Sequence, residues 1–228
     1  IQKAVDVVMK TIDLNNFDVA INVAAGTYTG AVLVDGPWVG SGTVYLIGAS
    51  ITTTIISTTS ANAIHVTRGG RLFPYDLKVQ TTTGGAGIVA DLGGTLNCNA
   101  MNFGACAGSQ IEAGTLGYIQ LSASYKISGN AVSHFHASGE GANITCAAIT
   151  AQFLSNVTYT SYFAGTNRGS VEASGLTIDL NTFTVTGKKF VCHYNGTIVC
   201  STQAVNYFPG STVGTLDNGG VYVSNQGA

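Results

Sequence analysis

Ile64-His65-Val66-Thr67-Arg68-Gly69-Gly70-Arg71-Leu72 returns as Ile88-Val89-Ala90-Asp91-Leu92-Gly93-Gly94-Thr95-Leu96. It returns again as Ile111-Glu112-Ala113-Gly114-Thr115-Leu116-Gly117-Tyr118-Ile119. The frame is an apolar first anchor and, eight places later, an apolar second anchor with a glycine two places before it. Phe163-Gly169-Val171 and Phe190-Gly196-Ile198 keep the frame, and Phe135-Gly141-Ile144 carries one extra residue. The second anchors Leu72, Leu96, Ile119, Ile144, Val171 and Ile198 stand 24, 23, 25, 27 and 27 residues apart. A period in this range signals stacked structural units.

Each unit contains short β runs separated by turns of Gly, Asn and Ser, with no helical stretch between them. Parallel strands in one sheet need a long crossover. A coil with two or three strands per turn supplies one, because each strand then pairs with its equivalent one turn later. Side chains at one repeat position stack in columns ~4.8 Å apart. The glycine before each second anchor marks a corner, where positive φ or close backbone approach is easiest. The pattern predicts an all-β chain, a single-stranded parallel β-helix of about eight or nine rungs and on the order of 40 Å in length.

The ends depart from the repeat. Ile1, Val5, Val8, Met9 and Ile12 fall at helical spacing, which predicts an amphipathic helix over 1–12 that caps the open end of the coil. Phe17, Val19, Ile21 and Val23 then alternate, a turn is expected at Ala25-Gly26-Thr27, and residues 35–42 read as a loop. The resulting division is a capping helix (1–16), a β-helix (17–210) and a C-terminal strand and tail (211–228), forming one domain. The tail from Ser224 onward is expected to be loose.

Charged residues make up 9% of the 228, and the net charge is −2. An average soluble domain carries about 25%. The surface must therefore be built from hydroxyls, amides and backbone. Such a balance offers no electrostatic footprint for nucleic acid and no basic face for a membrane, and no apolar run is long enough to insert. It suits a chain that buries much of its outside against copies of itself. The chain begins at Ile1 rather than Met, and reads as a segment of a longer polypeptide or a processed product. Cys98, Cys146 and Cys200 each follow a second anchor by two places, and Cys192 follows a first anchor by two. They are expected to point inward as small hydrophobes. Cys106 lies between repeats, and the pattern gives it no role.

The opening Ile1-Gln2-Lys3-Ala4-Val5-Asp6 helix and the Val23-Ala24-Ala25-Gly26-Thr27-Tyr28 stretch resemble the capping helix and P-A-G-T-Y turn of right-handed parallel β-helices of the pectin-lyase-like superfamily, with Ala24 in place of the usual Pro. Residues 58–63, 77–83, 103–106 and the ending Asn206-Tyr207-Phe208-Pro209-Gly210 resemble a module of phage and prophage tail proteins. The resemblance covers nearly the whole chain. It implies right-handedness, commonly a trimer, and a place in a virion. Domains of this fold serve as lyases, hydrolases, adhesins and shafts, so the fold leaves the activity open.

The outward positions carry the candidate chemistry. Asp91, three places after Ile88, Glu112, one after Ile111, and His136, one after Phe135, are expected to line one outer patch, as a glycan-cleaving site requires. His134 and His136 are expected on one strand face, where symmetry-related copies would be needed to complete a metal site. Exposed aromatics could meet a sugar or a subunit, with Trp38 in the longest loop first and Tyr118 second. Arg68 and Arg168 lie at the same edge of their rungs, several rungs apart. The sequons at Asn143, Asn156 and Asn195 read as structural. No cofactor is implied.

Three functions follow as expectations. The first is a structural and adhesive module of a phage tail fibre or tailspike. Its partners would be itself, other tail proteins and a host-surface glycan, and its location the virion. The second is a tailspike that depolymerises a bacterial surface polysaccharide. The third is a secreted, extracellular bacterial adhesin.

Overall fold

The computed structural model describes residues 1–146, 148–200, 203 and 207–224. The chain forms a parallel β-helix of about eight turns with a helix, α1 (Gln2–Thr11), at its start. Three parallel sheets make three faces. The first contains the strands Val19–Val23, Val44–Gly48, Arg71–Tyr75, Thr95–Cys98, Tyr118–Leu121, Asn143–Cys146, Ser170–Glu172, Thr197–Cys200 and Val221–Ser224. The second runs from Gly26–Tyr28 to Leu176–Asp179. The third runs from Val32–Asp35 through Ile64–Thr67, Ile88–Ala90, Ile111–Ala113, Ala131–Ser138, Val157–Asn167 and Val185–His193 to Thr215–Leu216. Residues 211–224 thus extend the same faces. Ser224, expected to begin a loose tail, instead ends a strand and pairs with Cys200, while residues 225–228 and Asn206 of the phage-like ending lie outside the described residues.

Period-two alternation drives the coil. The second anchors pair in an unbroken column, Leu72 to Leu96, Ile119, Ile144, Val171 and Ile198, and every member is buried. Each full burial of such a side chain contributes roughly 1.5–3 kcal/mol, so the columns supply most of the apolar stabilisation. The first anchors align as Ile64, Ile88, Ile111 and Phe135. The next partner of Phe135 is Ala164 rather than Phe163. The cause is a one-residue register shift in that pairing, because Ala131 pairs with Tyr159 but Ser133 pairs with Tyr162, and a one-residue shift moves each side chain to the neighbouring position.

The corner glycines work by close approach. A Cβ at Gly94 would lie 2.2 Å from the Val66 carbonyl oxygen, and one at Gly117 would lie 1.9 Å from that of Ala90. The positive φ belongs to the residues before them, Leu92 (47°), Gly93 (81°) and Leu116 (58°).

Helix α1 buries Val5 and Val8 and leans Ile1, Met9 and Ile12 on the core. The Gln2 side chain completes the cap. Its Nε2 donates to the Leu33 carbonyl (2.9 Å) and its Oε1 accepts from the Leu33 amide (2.7 Å). An amide side chain thereby pairs with the first strand of the third face as a neighbouring strand would, which closes an otherwise open edge. The expected turn at Ala25-Gly26-Thr27 is instead the strand Gly26–Tyr28, paired with Thr54–Ile56. Phe17, the first residue of that alternation, is exposed, because regular pairing starts only at Val19.

All five cysteines are free and buried, including Cys106. Burial raises each thiol's pKa, to about 11 for Cys200 and about 12 for Cys106.

Candidate functional site

The third face builds the site. Leu33, His65, Val89, Glu112, His136 and Gly165 form one outward column, in register from strand to strand. Their inward neighbours Ile64, Ile88, Ile111 and Phe135 are wholly buried, so alternation forces the column outward. Asp91 follows Ala90 at the end of its strand. Two glycines make room over this surface. A Cβ at Gly114 would lie 2.9 Å from Asp91 Cβ, and one at Gly165 would meet the Tyr162 ring at 2.1 Å. Asp91 and Tyr162 therefore lie against the sheet, one at each end of the cluster.

Two acid–imidazole pairs result. His65 Nε2 and Asp91 Oδ2 are 3.1 Å apart, and His136 Nδ1 and Glu112 Oε2 are 3.9 Å apart. The second is a charge-pair distance rather than a hydrogen-bond distance. The His136 imidazole, aided by Ser109, holds the Glu112 carboxyl below its usual range, against the opposing effects of burial and of Asp91. Tyr162, 6.1 Å from the His136 ring, has its phenol pushed up to about 12 by burial and by the Glu112 charge. Asp91 Oδ1 is buried with no hydrogen-bond partner among the described residues.

The expected patch of Asp91, Glu112 and His136 is thus brought together, and two further members join it. His65 was legible, since it stands one place after Ile64, as Glu112 stands after Ile111. Tyr162 was not, because the register shift in its strand hides its phase.

His134 does not join the patch. The structure corrects the expectation that His134 and His136 share a face. His134 is fully buried, whereas the His136 side chain is 27% exposed. Ser133, His134 and Phe135 are all buried in succession, and the strand's register shifts between Ala131 and Ser133, so simple alternation fails at this corner. His134 instead enters a polar network inside the core. Its Nδ1 donates to Gln110 Oε1 (2.7 Å), and its Nε2 accepts from the Tyr125 hydroxyl (2.8 Å). Gln110 Oε1 also accepts from Tyr159, and its Nε2 donates to the carbonyls of Gly104 and Gly129. Burial depresses the His134 pKa to about 3. Among the described residues, no group of three or more His, Cys, Asp or Glu side chains is arranged to hold a metal.

Trp38 is also corrected. It is 5% exposed, and its indole donates to the Arg71 carbonyl. Its loop is stitched to the chain after α1 by Leu14 N to Val39 O (2.9 Å) and Ser41 N to Asn15 O (2.7 Å), which folds the ring inward. Tyr118 does face outward, half-buried, with its hydroxyl 3.1 Å from Thr145 Oγ1. Arg68 pairs with Asp35 at 3.2 Å, while Arg168 lines a cleft elsewhere.

Chemically, the patch offers an ionised carboxylate at Glu112. Glycoside hydrolysis pairs such a carboxylate with a second carboxyl group that protonates the leaving group. A cleft of about 300 Å³ borders it at His65, lined also by Leu33, Ser60 and Asn62. Fold and site together define a parallel β-helix protein with an acid–imidazole patch on one outer face. No protein-family model, curated protein or solved structure matches the chain, and no helix among the described residues is long and apolar enough to cross a membrane.

Proposed function

We propose that the chain is a structural and adhesive module of a bacteriophage tail fibre or tailspike-like appendage, of the pectin-lyase-like β-helix type. In this reading it assembles with copies of itself, most simply as a trimer, and with other tail proteins, and it contributes to attachment at a host-surface glycan. One observation carries the reading. An eight-turn parallel coil is clothed mainly in uncharged outward side chains, with 9% charged residues in the whole chain. Such a surface favours packing between copies and hydrogen bonding to hydroxyl-rich ligands over repulsion and charge steering. The stretches that resemble phage tail proteins support the virion context. Light scattering on the purified chain tests the assembly. A trimeric mass is expected, and a monomer at all concentrations removes the proposal.

A second reading, depolymerisation of a surface polysaccharide, is favoured by the proximity of Asp91, Glu112 and His136. It predicts release of reducing ends from capsule or lipopolysaccharide that disappears in the double variant Asp91→Ala, Glu112→Ala. Unchanged release in that variant removes these residues from any such activity.

A further inference from the structure

At the corner between the third and first faces lies a polar cleft of about 380 Å³, lined by Glu140, Arg168, Tyr194, Asn195 and Asn218. A second cleft, of about 220 Å³, shares Arg168 and Asn195 with it. The two form one groove along the corner. Successive turns supply the residues. Gly139 N bonds Asn167 O (2.8 Å), Arg168 N bonds His193 O (3.4 Å) and Asn195 N bonds Asn218 O (3.2 Å). The groove therefore runs along the coil axis across four turns, on the order of 14 Å at the inter-strand spacing.

Arg168, Tyr194, Asn195 and Asn218 all have φ between 46° and 61°. Arg68, Leu92 and Leu116 share that conformation on earlier turns, so the corner geometry belongs to the fold. The chemistry of this stretch sets it apart. Arg68 is neutralised by Asp35. Arg168, by contrast, makes no side-chain hydrogen bond or ion pair among the described residues, and neither does the Glu140 carboxylate or the Tyr194 hydroxyl. Tyr194 is 50% exposed. A cation, an aromatic ring, two amides and a carboxylate thus border one groove, and the charged groups and the phenol have no hydrogen-bond or ion-pair partner among the described residues.

We propose that this groove is a binding subsite for a saccharide that bears a carboxylate, a proposal that rests on the attachment reading above. The Arg168 guanidinium offers a planar fork matched to a carboxylate. The Tyr194 ring offers an apolar face for the C–H surface of a pyranose. Asn195, Asn218 and Glu140 supply donors and acceptors for its hydroxyls.

The test is calorimetric titration of the full chain. The acidic probes are 3′-sialyllactose and a hyaluronan tetrasaccharide, and lactose and chitotetraose are the neutral counterparts. Each is titrated into the wild type, Arg168→Asn and Tyr194→Ala. Asparagine removes the cation yet tolerates the left-handed backbone, and matching thermal melts establish that both variants are folded. The acidic sugars are expected to bind at least about tenfold more tightly than the neutral ones, as a charge-assisted bidentate contact provides. Arg168→Asn should erase that preference, and Tyr194→Ala should weaken both classes. Binding unchanged in both variants overturns the subsite and leaves the attachment reading standing. Equal affinity of the wild type for acidic and neutral sugars overturns the carboxylate specificity. Wild type that binds none of the four overturns the subsite and the saccharide-attachment reading together.

Discussion

His134 Nε2 and the Tyr125 hydroxyl lie 2.8 Å apart, with both side chains buried within the coil. Gln110 Oε1, an acceptor, faces the other imidazole nitrogen at 2.7 Å. The ring must then carry its proton on Nδ1 and receive the phenol proton at Nε2, which is the neutral tautomer. Protonation would make Nε2 a donor as well, so the Tyr125 hydroxyl would have to accept and turn its own hydrogen away, in a site bordered by Phe103, Phe135 and Phe163. Both facts agree with a pKa depressed from 6.5 to about 3.

The first prediction follows from that shift. Between pH 6.5 and about 3 the unfolded chain binds a proton at His134 that the folded chain does not. Stability therefore rises with pH across this window, is fully present above it, and is lost as the solution is acidified. The loss at the acid end is on the order of a few kcal/mol. Glu112, whose pKa is lowered from 4.5, adds a loss of the same sign, but only near and below its unfolded value. The interval from pH 6.5 to about 5 lies above the Glu112 contribution, and a His134 variant separates His134 from the other three histidines, which pair with Asp91, Glu112 and Asp217. On acidification over that interval the wild type should lose more of its melting temperature than His134→Gln does. An equal slope in both proteins would refute the assignment.

The contrast between His134 and the second anchors explains what the sequence made legible. Leu72 through Ile198 lie in strands whose alternation is unbroken, so an eight-residue spacing was enough to place them inside. The same rule placed Asp91, Glu112 and His136 on one outer patch. It failed where a strand's register shifts, at His134 and at Tyr162, while Phe163 is buried as its place in the repeat predicts but stands one residue out of the anchor column. A slip is set by backbone hydrogen bonding, and hydropathy carries no mark of it. It failed again at Trp38, because the burial of a loop ring depends on what the loop is tied to. For Trp38 the ties run to Leu14 and Asn15, which are distant in sequence.

Thiol chemistry gives a second prediction. Five free thiols are buried, and burial holds each in the protonated, unreactive form. At pH 7 a small disulfide reagent should label almost none of them in the folded protein and all five after denaturation. Rapid labelling of one thiol in the native state would identify a local opening. Cys106, which borders a cleft with Thr81 and Asn130, is the first place to look.

Trp38 gives a third. It is the chain's one tryptophan, so fluorescence reports on the loop that holds it. Emission should be blue-shifted and poorly quenched by acrylamide in the native state, and saccharides should leave it unchanged. Trp38→Phe deprives the Arg71 carbonyl of its indole donor and should cost about 1–3 kcal/mol. Trp38→Ala also leaves a cavity and should cost roughly 3–5 kcal/mol. Strong quenching of the native protein would return Trp38 to the surface.

The corner glycines allow two physical effects to be separated within one turn. Gly93 has φ 81°, and the nearest atom to an added Cβ is 3.6 Å away, so its constraint is conformational. Gly94 has no positive φ, but an added Cβ would sit 2.2 Å from the Val66 carbonyl oxygen, so its constraint is steric. Alanine at position 93 should cost about 1–2 kcal/mol, the usual penalty of a left-handed L-residue. Asparagine there should recover much of that, since it tolerates the region better. At position 94 alanine and asparagine should be equally poor. Either must push a backbone carbonyl out of a parallel ladder, at a cost of roughly 3 kcal/mol or more. Denaturant unfolding of the four variants decides the matter. Rescue by asparagine at position 94, or its absence at position 93, would show that the constraints are assigned the wrong way round.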